Sequence, residues 1–179
     1  MEEKFEPKHL IVKNANISSV NLSGRPTKAN PDGGSRSFVL RINDPTEADR
    51  LAAEGWNVKL RRPTTLDDGT VLEAYQYIPV SAWFNKYPPD FWLIQLKEDG
   101  TATSRKLDVE TVGVIDRAKR LNVDLHLVQY HYTKGGGGVT ALVREMAVTV
   151  GDNAFANSAS AFGEDFANIP IVGDDETPF

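Results

Sequence analysis

The chain has 179 residues, with 20 Lys and Arg against 25 Asp and Glu, a formal net charge of −5 and no cysteine. That length fits one domain and a tail, and the missing cysteines exclude a disulfide scaffold, a thiol nucleophile and a cysteine-held metal. No apolar run approaches the ~20 residues of a membrane span, and Met1-Glu2-Glu3-Lys4 lacks the apolar stretch of a secretory leader, so the expected compartment is the cytoplasm. The acidity is uneven. Residues 152–179 hold six acids and no Lys or Arg, which leaves 20 basic against 19 acidic residues in the body.

In chain order, Leu10 to Val20 predicts a long bent strand, followed by a loop rich in Gly, Pro and Asn from Asn21 to Gly34. Arg36 to Asn43 alternates, with Phe38, Leu40 and Ile42 on one face and Ser37, Val39 and Arg41 on the other. Asp44, Pro45 and Glu47 then start a short helix that Gly55 stops. Trp56 to Arg61 predicts a half-buried strand with Trp56, Val58 and Leu60 facing one way and Asn57, Lys59 and Arg61 the other. Leu72 to Val80 places Leu72, Ala74, Ile78 and Val80 on one face and the pair Tyr75 and Tyr77 on the opposite face.

Trp83-Phe84-Asn85-Lys86-Tyr87-Pro88-Pro89 sets three rings and a lysine before two prolines, which disfavour a continued strand. Phe91 to Leu96 predicts a strand, and Asp108 caps a second helix reaching Leu121. Val123 to Tyr132 and Val139 to Val150 predict a long hairpin around Gly135 to Gly138. Many short strands with two short helices imply a mainly β fold, a small Greek-key barrel over residues 1–151, with residues 152–179 as linker and tail.

Exposed rings beside cations suit single-stranded nucleic acid, because every base has a stackable face and every nucleotide a phosphate. The candidates are Lys59, Arg61 and Arg62 beside Tyr75 and Tyr77, then Trp83, Lys86 and Tyr87, and Tyr130 and Tyr132 next to Lys134. Trp83 fits either the barrel end or the binding face, and Tyr130 and Tyr132 either extend the platform or meet a second subunit. The glycine run lacks the Gly-Lys-Ser/Thr of a phosphate loop, and His9, His126 and His131 form no readable catalytic or metal set, so no enzyme chemistry and no cofactor is expected.

Beyond Gly151 the composition turns to Ala, Asn, Ser and Gly, with Phe155, Phe162 and Phe166 at a spacing that fits either a helical stripe or a coil with anchors. As flexible coil, 28 residues span about 29 Å. The tip Asp174-Asp175-Glu176-Thr177-Pro178-Phe179 offers a partner carboxylates for a basic rim and an aromatic ring for an apolar pocket.

This tip resembles the acidic Pro-Phe tip of bacterial single-stranded-DNA-binding proteins, which replication and repair enzymes grip and which can fold back onto the protein's own DNA site. The body is similar to phage-encoded single-stranded-DNA-binding proteins at Lys13-Asn14-Ala15-Asn16-Ile17, Asn21-Leu22-Ser23-Gly24, Arg36-Ser37-Phe38-Val39, Gly55-Trp56-Asn57-Val58-Lys59 and Val123-Asp124-Leu125 leading to Met146-Ala147-Val148-Thr149. The resemblance implies an oligonucleotide-binding barrel that coats single strands without sequence preference in replication, recombination and repair. The linker departs from the bacterial pattern, with phenylalanines where Gly, Gln and Pro are usual. The rival readings are a phage structural or assembly protein with an interaction tail and an RNA-binding barrel of similar build.

Overall fold

The computed structural model describes residues 6–151. Its strands are β1 His9–Val12, β2 Asn16–Asn21, β3 Ser37–Ile42, β4 Lys59–Arg61, β5 Thr64–Thr65, β6 Val71–Leu72, β7 Tyr75–Ser81, β8 Asp90–Leu96, β9 Ala102–Leu107, β10 Arg120–Tyr132 and β11 Gly138–Gly151. A single α-helix among the described residues, α1 Pro45–Ala53, joins β3 to β4. Nine strands make one sheet whose hydrogen-bonded path runs β1-β10-β11-β7-β3-β2, with β4 beside β7 and the β8–β9 hairpin beside β11. The chain is mainly β, as the alternation implies, and β1 and β2 are the unjoined ends of the path.

One face of every long strand points at a shared core. Phe38 and Leu40 of β3, Ile78 and Val80 of β7, Phe91 and Leu93 of β8, Leu125 and Leu127 of β10, and Met146 and Val148 of β11 belong to one buried cluster. Successive strand residues face opposite sides, so the alternate positions form an outward row on each strand. The register slips between His126 and Leu127, where β10 meets β11, and such a bulge bends the pair around the core. Strand β11 is the organiser, because β10 lies along one edge while the other edge pairs first with β7 and then with β8.

Helix α1 forms where its signals stand. Asp44 accepts from the Thr46 backbone N–H at 2.9 Å and Pro45 occupies the first turn. Ala48 and Leu51 are buried, and the buried Gln129 of β10 donates to the Glu54 carbonyl at 3.1 Å, satisfying a helix-end acceptor. The second expected helix is instead a 3-10 helix, Val112–Asp116. Asp108 does accept from Glu110 and Thr111, but the segment is rich in β-branched residues. Gly113 also lies so close to Ser23 that an added Cβ would stand 2.8 Å from the Ser23 Cβ. Asp116 fastens this turn to the loop after β2, accepting from the Leu22 and Ser23 backbone at 2.7 and 3.1 Å.

Three other expectations shift. The long first strand is two, broken at Asn14, whose φ of +50° is one that Asn tolerates. The segment before Arg61 is extended only from Lys59, with Trp56 buried and Leu60 63% exposed. Leu72 does not continue into β7 but pairs back in the small β5–β6 hairpin, outside the main sheet. Strand β9 has no clear apolar alternation and is recognisable only by its pairing with β8.

Candidate functional site

The outward row of β7 is Tyr75, Tyr77, Pro79 and Ser81, opposite the buried Ile78 and Val80. Strand β3 borders this row on one edge and β4 on the other, so Tyr77 stands between Arg41 and Lys59 in register, and Arg61 stands opposite Tyr75. The Arg41 guanidinium lies 3.9 Å from the centre of the Tyr75 ring, and Arg61 Nη1 donates to Tyr75 Oη at 3.1 Å. That bond favours the protonated guanidinium and moves the Arg61 pKa up. The Tyr75 and Tyr77 rings are 5.6 Å apart and tilted by 55°. Arg41 was not among the sequence candidates, although the alternation of its strand already put it on the outward face.

Beyond the end of β7 the chain lifts a second set of rings. Trp83 meets Tyr130 of β10 edge-on at 5.0 Å, and Tyr87 meets the same ring at 5.6 Å. Lys86 Nζ donates to Tyr130 Oη at 3.3 Å and lies 5.6 Å from the Tyr87 centre. The hydrogen bond to Tyr130 is the main reason the Lys86 pKa is raised. Phe84, not Trp83, takes the inward place, stacked on the buried Phe91 at 5.6 Å. Sequence reasoning could not divide adjacent aromatic residues between core and surface, because a loop has no strand parity to assign them.

The structure brings the other candidates into looser association. Tyr132 shares the outward face of β10 with Tyr130, and its ring lies across Gly138, where a Cβ would stand 2.3 Å from Tyr132 Oη. Lys134 is exposed at the hairpin tip, and Arg62 is exposed just beyond β4. The Asp174, Asp175, Glu176, Pro178 and Phe179 candidates lie outside the described residues.

The family model described as a phage ssDNA-binding domain matches residues 2–177. The chain belongs to this family. Membership makes single-stranded DNA the ligand class. Among solved structures the chain is similar to the single-stranded DNA-binding protein from bacteriophage Enc34, C-terminal truncation, at 14% identity, a TM-score of 0.41 and coverage of 82% of this chain and 88% of that one. No curated protein matches the chain.

Two clefts flank the outward row of β7 in this phage ssDNA-binding domain. One, about 570 Å³, is lined by Arg41, Arg61 and Tyr75 together with the start of β7. The other, about 640 Å³, is lined by Arg36, Ser81, Trp83 and Lys86. From Tyr75 to Ser81 the row runs about 20 Å at ~3.3 Å per residue. Arg36, a further cation missed in the sequence, holds the Leu22 carbonyl and lies 5.6 Å from the Phe84 ring centre. Among the described residues no group of three or more His, Asp or Glu could hold a metal, and no helix is long and apolar enough to cross a membrane.

Proposed function

We propose that single-stranded DNA lies along the outward face of β7, from the Arg41–Tyr75–Arg61 cluster to the Trp83–Tyr130–Lys86 cluster, and that the protein coats such strands during phage replication and recombination. The observation that carries this reading is the alternation of rings and cations on one core-averted face, held by the register of β3, β4, β7 and β10. Tyr75 has a guanidinium against its ring, so its part is to aim Arg41 and Arg61 at phosphates. Tyr77, Trp83, Tyr87 and Tyr130 supply faces and edges for bases, at about 1–3 kcal/mol per stacked base. Lys59, Arg62, Tyr132 and Lys134 border the track. Fluorescence anisotropy with dT, rU and duplex oligonucleotides tests the reading. Tight binding to dT, weak binding to duplex and a log–log salt slope of about −3 to −4, from four to six phosphates at ~0.7 each, are expected. Equal binding to duplex and single strand would remove it.

The acidic tip completes the proposal as a docking peptide and internal competitor of DNA. Its support is composition and reach: Asp174, Asp175 and Glu176 stand directly before Thr177-Pro178-Phe179, and any 28-residue coil spans about 29 Å, more than the length of the β7 row. Deleting residues 174–179 is expected to tighten DNA binding at low salt, with the gain shrinking as salt rises. Phe179→Ala is expected to abolish capture by a tail-reading replication or repair enzyme while leaving DNA affinity nearly unchanged. Weaker DNA binding on truncation, or intact partner capture by the Phe179 variant, would reject this role.

A further inference from the structure

We infer that the cleft at the Tyr75 end of the track holds one unpaired nucleobase by its hydrogen-bonding edge, so that base identity is read at a single position of an otherwise indifferent strand. The inference rests on the DNA-binding face proposed above. At about 570 Å³ the cleft falls within the range of small-ligand sites, ~300–1,000 Å³.

Its lining combines three chemistries beside one carboxylate, Glu73. Ser18, Ser19, Asn43 and Gln76 bring hydroxyl and amide groups to it, and none of these side chains has a hydrogen-bond partner among the described residues. Gln76 is the informative one. It continues the inward row of Val80 and Ile78, so an amide stands where the alternation calls for an apolar side chain, paired in register with Ile42 and Leu60. The amide is half-buried, with its nitrogen and oxygen open to solvent, so a ligand edge with a donor beside an acceptor can take the place of water on it. Ser19 has a φ of +50° at the point where β2 slips register against β3, the kind of bulge that re-aims side chains beside a site.

The apolar part comes from Leu60 and Leu72, which are 63% and 40% exposed and line the same cleft. Flat apolar walls suit the face of a base. At the rim, Arg41 and Arg61 sit on Tyr75 where the sugar-phosphate chain would pass. An apolar ligand would leave the amides and cations idle, and a lone phosphate would leave the leucines idle. A nucleobase with its backbone uses all three. Because a duplex already occupies the base edge, only an unpaired base can enter.

The test compares homopolymers of about 15 nucleotides, within the 4 to 16 that one such fold covers. Wild-type affinities for dT, dC and dA are expected to differ by about 5- to 150-fold, the effect of one good base-edge contact. Gln76→Ala and Asn43→Ala should each bring these affinities together, leaving the least favoured homopolymer almost unchanged. The self-stacking of dA is common to all the proteins and cancels in the comparison. One favoured nucleotide placed in the least favoured tract should restore most of the affinity for wild type only. Equal wild-type affinities, or a spread that survives both substitutions, would overturn the pocket while leaving the DNA face standing. Failure of wild type to bind any homopolymer would overturn both. Asn43 is exposed, so its variant gives an answer even where Gln76→Ala does not fold.

Discussion

The two ends of the β7 row use the same residue types to opposite effect. At the Tyr75 end a guanidinium lies over the ring at 3.9 Å, so the ring is spent on holding charge. At the Trp83 end the rings meet edge-on or tilted at 5.0 and 5.6 Å, and the lysine donates to a phenol oxygen while lying farther from the ring centres, at 5.4 and 5.6 Å. A ring covered by arginine offers a ligand cations, whereas a tilted ring cluster offers it π-surface. A count of tyrosines and basic residues would rate the ends alike. Their expected contributions to binding differ in kind, one dependent on salt and the other indifferent to it.

The largest expected effect breaks the ring end. Trp83→Ala and Tyr130→Ala should each weaken dT binding by about 1–3 kcal/mol with the salt slope unchanged. The double variant should lose less than the sum, because the two rings touch. Titrations at several salt concentrations check this, and a slope that flattens in step with affinity would show that the rings work through Lys86. Tryptophan fluorescence adds a second reading: quenching by dT should vanish with Trp83, since Trp56 and Trp92 are 3% and 6% exposed and Trp92 donates to Glu145.

A smaller change should follow at the cationic end. Arg41→Ala with Arg61→Ala is expected to flatten the salt slope by about 1.4, from ~0.7 per phosphate contact. Tyr75→Phe keeps a ring for Arg41 and removes only the oxygen that orients Arg61, so it should cost at most half of that change. If Tyr75→Phe flattens the slope as much as the double variant, the orienting oxygen rather than the stack governs this end.

The smallest effect comes from outside both ends and serves as their control. His9 Nδ1 and His126 Nε2 lie 2.8 Å apart between β1 and β10, a bond that needs one neutral ring. Burial chiefly, then His9 and Arg144, lower the His126 pKa below its ordinary 6.5, with Glu145 opposing. A base with a depressed folded pKa is protonated more readily in the unfolded chain. Stability should therefore be level above about pH 6.5 and fall as acid takes the pH below it. His126→Gln should remove part of that fall in thermal melts while leaving the neutral-pH salt slope of DNA binding untouched. A fall unchanged by the substitution would assign it to other groups.

Much of this arrangement could be read along the chain because it depends on parity and on local signals. Strand alternation put Tyr75 and Tyr77 opposite Ile78 and Val80, turned Lys59 and Arg61 outward and paired Tyr130 with Tyr132. Asp44, Pro45 and Gly55 marked the ends of α1, and a glycine run marked the turn of the long hairpin. These follow from the two-residue period of a strand and the backbone needs of caps and turns, which are properties of neighbours in sequence. The tertiary structure decided what depends on distant partners. The fork of β11 between β7 and β8, the placing of Phe84 inside and Trp83 outside, and the stacking of Arg41 on Tyr75 across a strand pair all arise from contacts between segments far apart in the chain. So does the cleft at Gln76, which is lined by residues of β2, β3, β4 and β7 together. Local periodicity tells which way a side chain points, but which partner it meets depends on how the strands are ordered around the core.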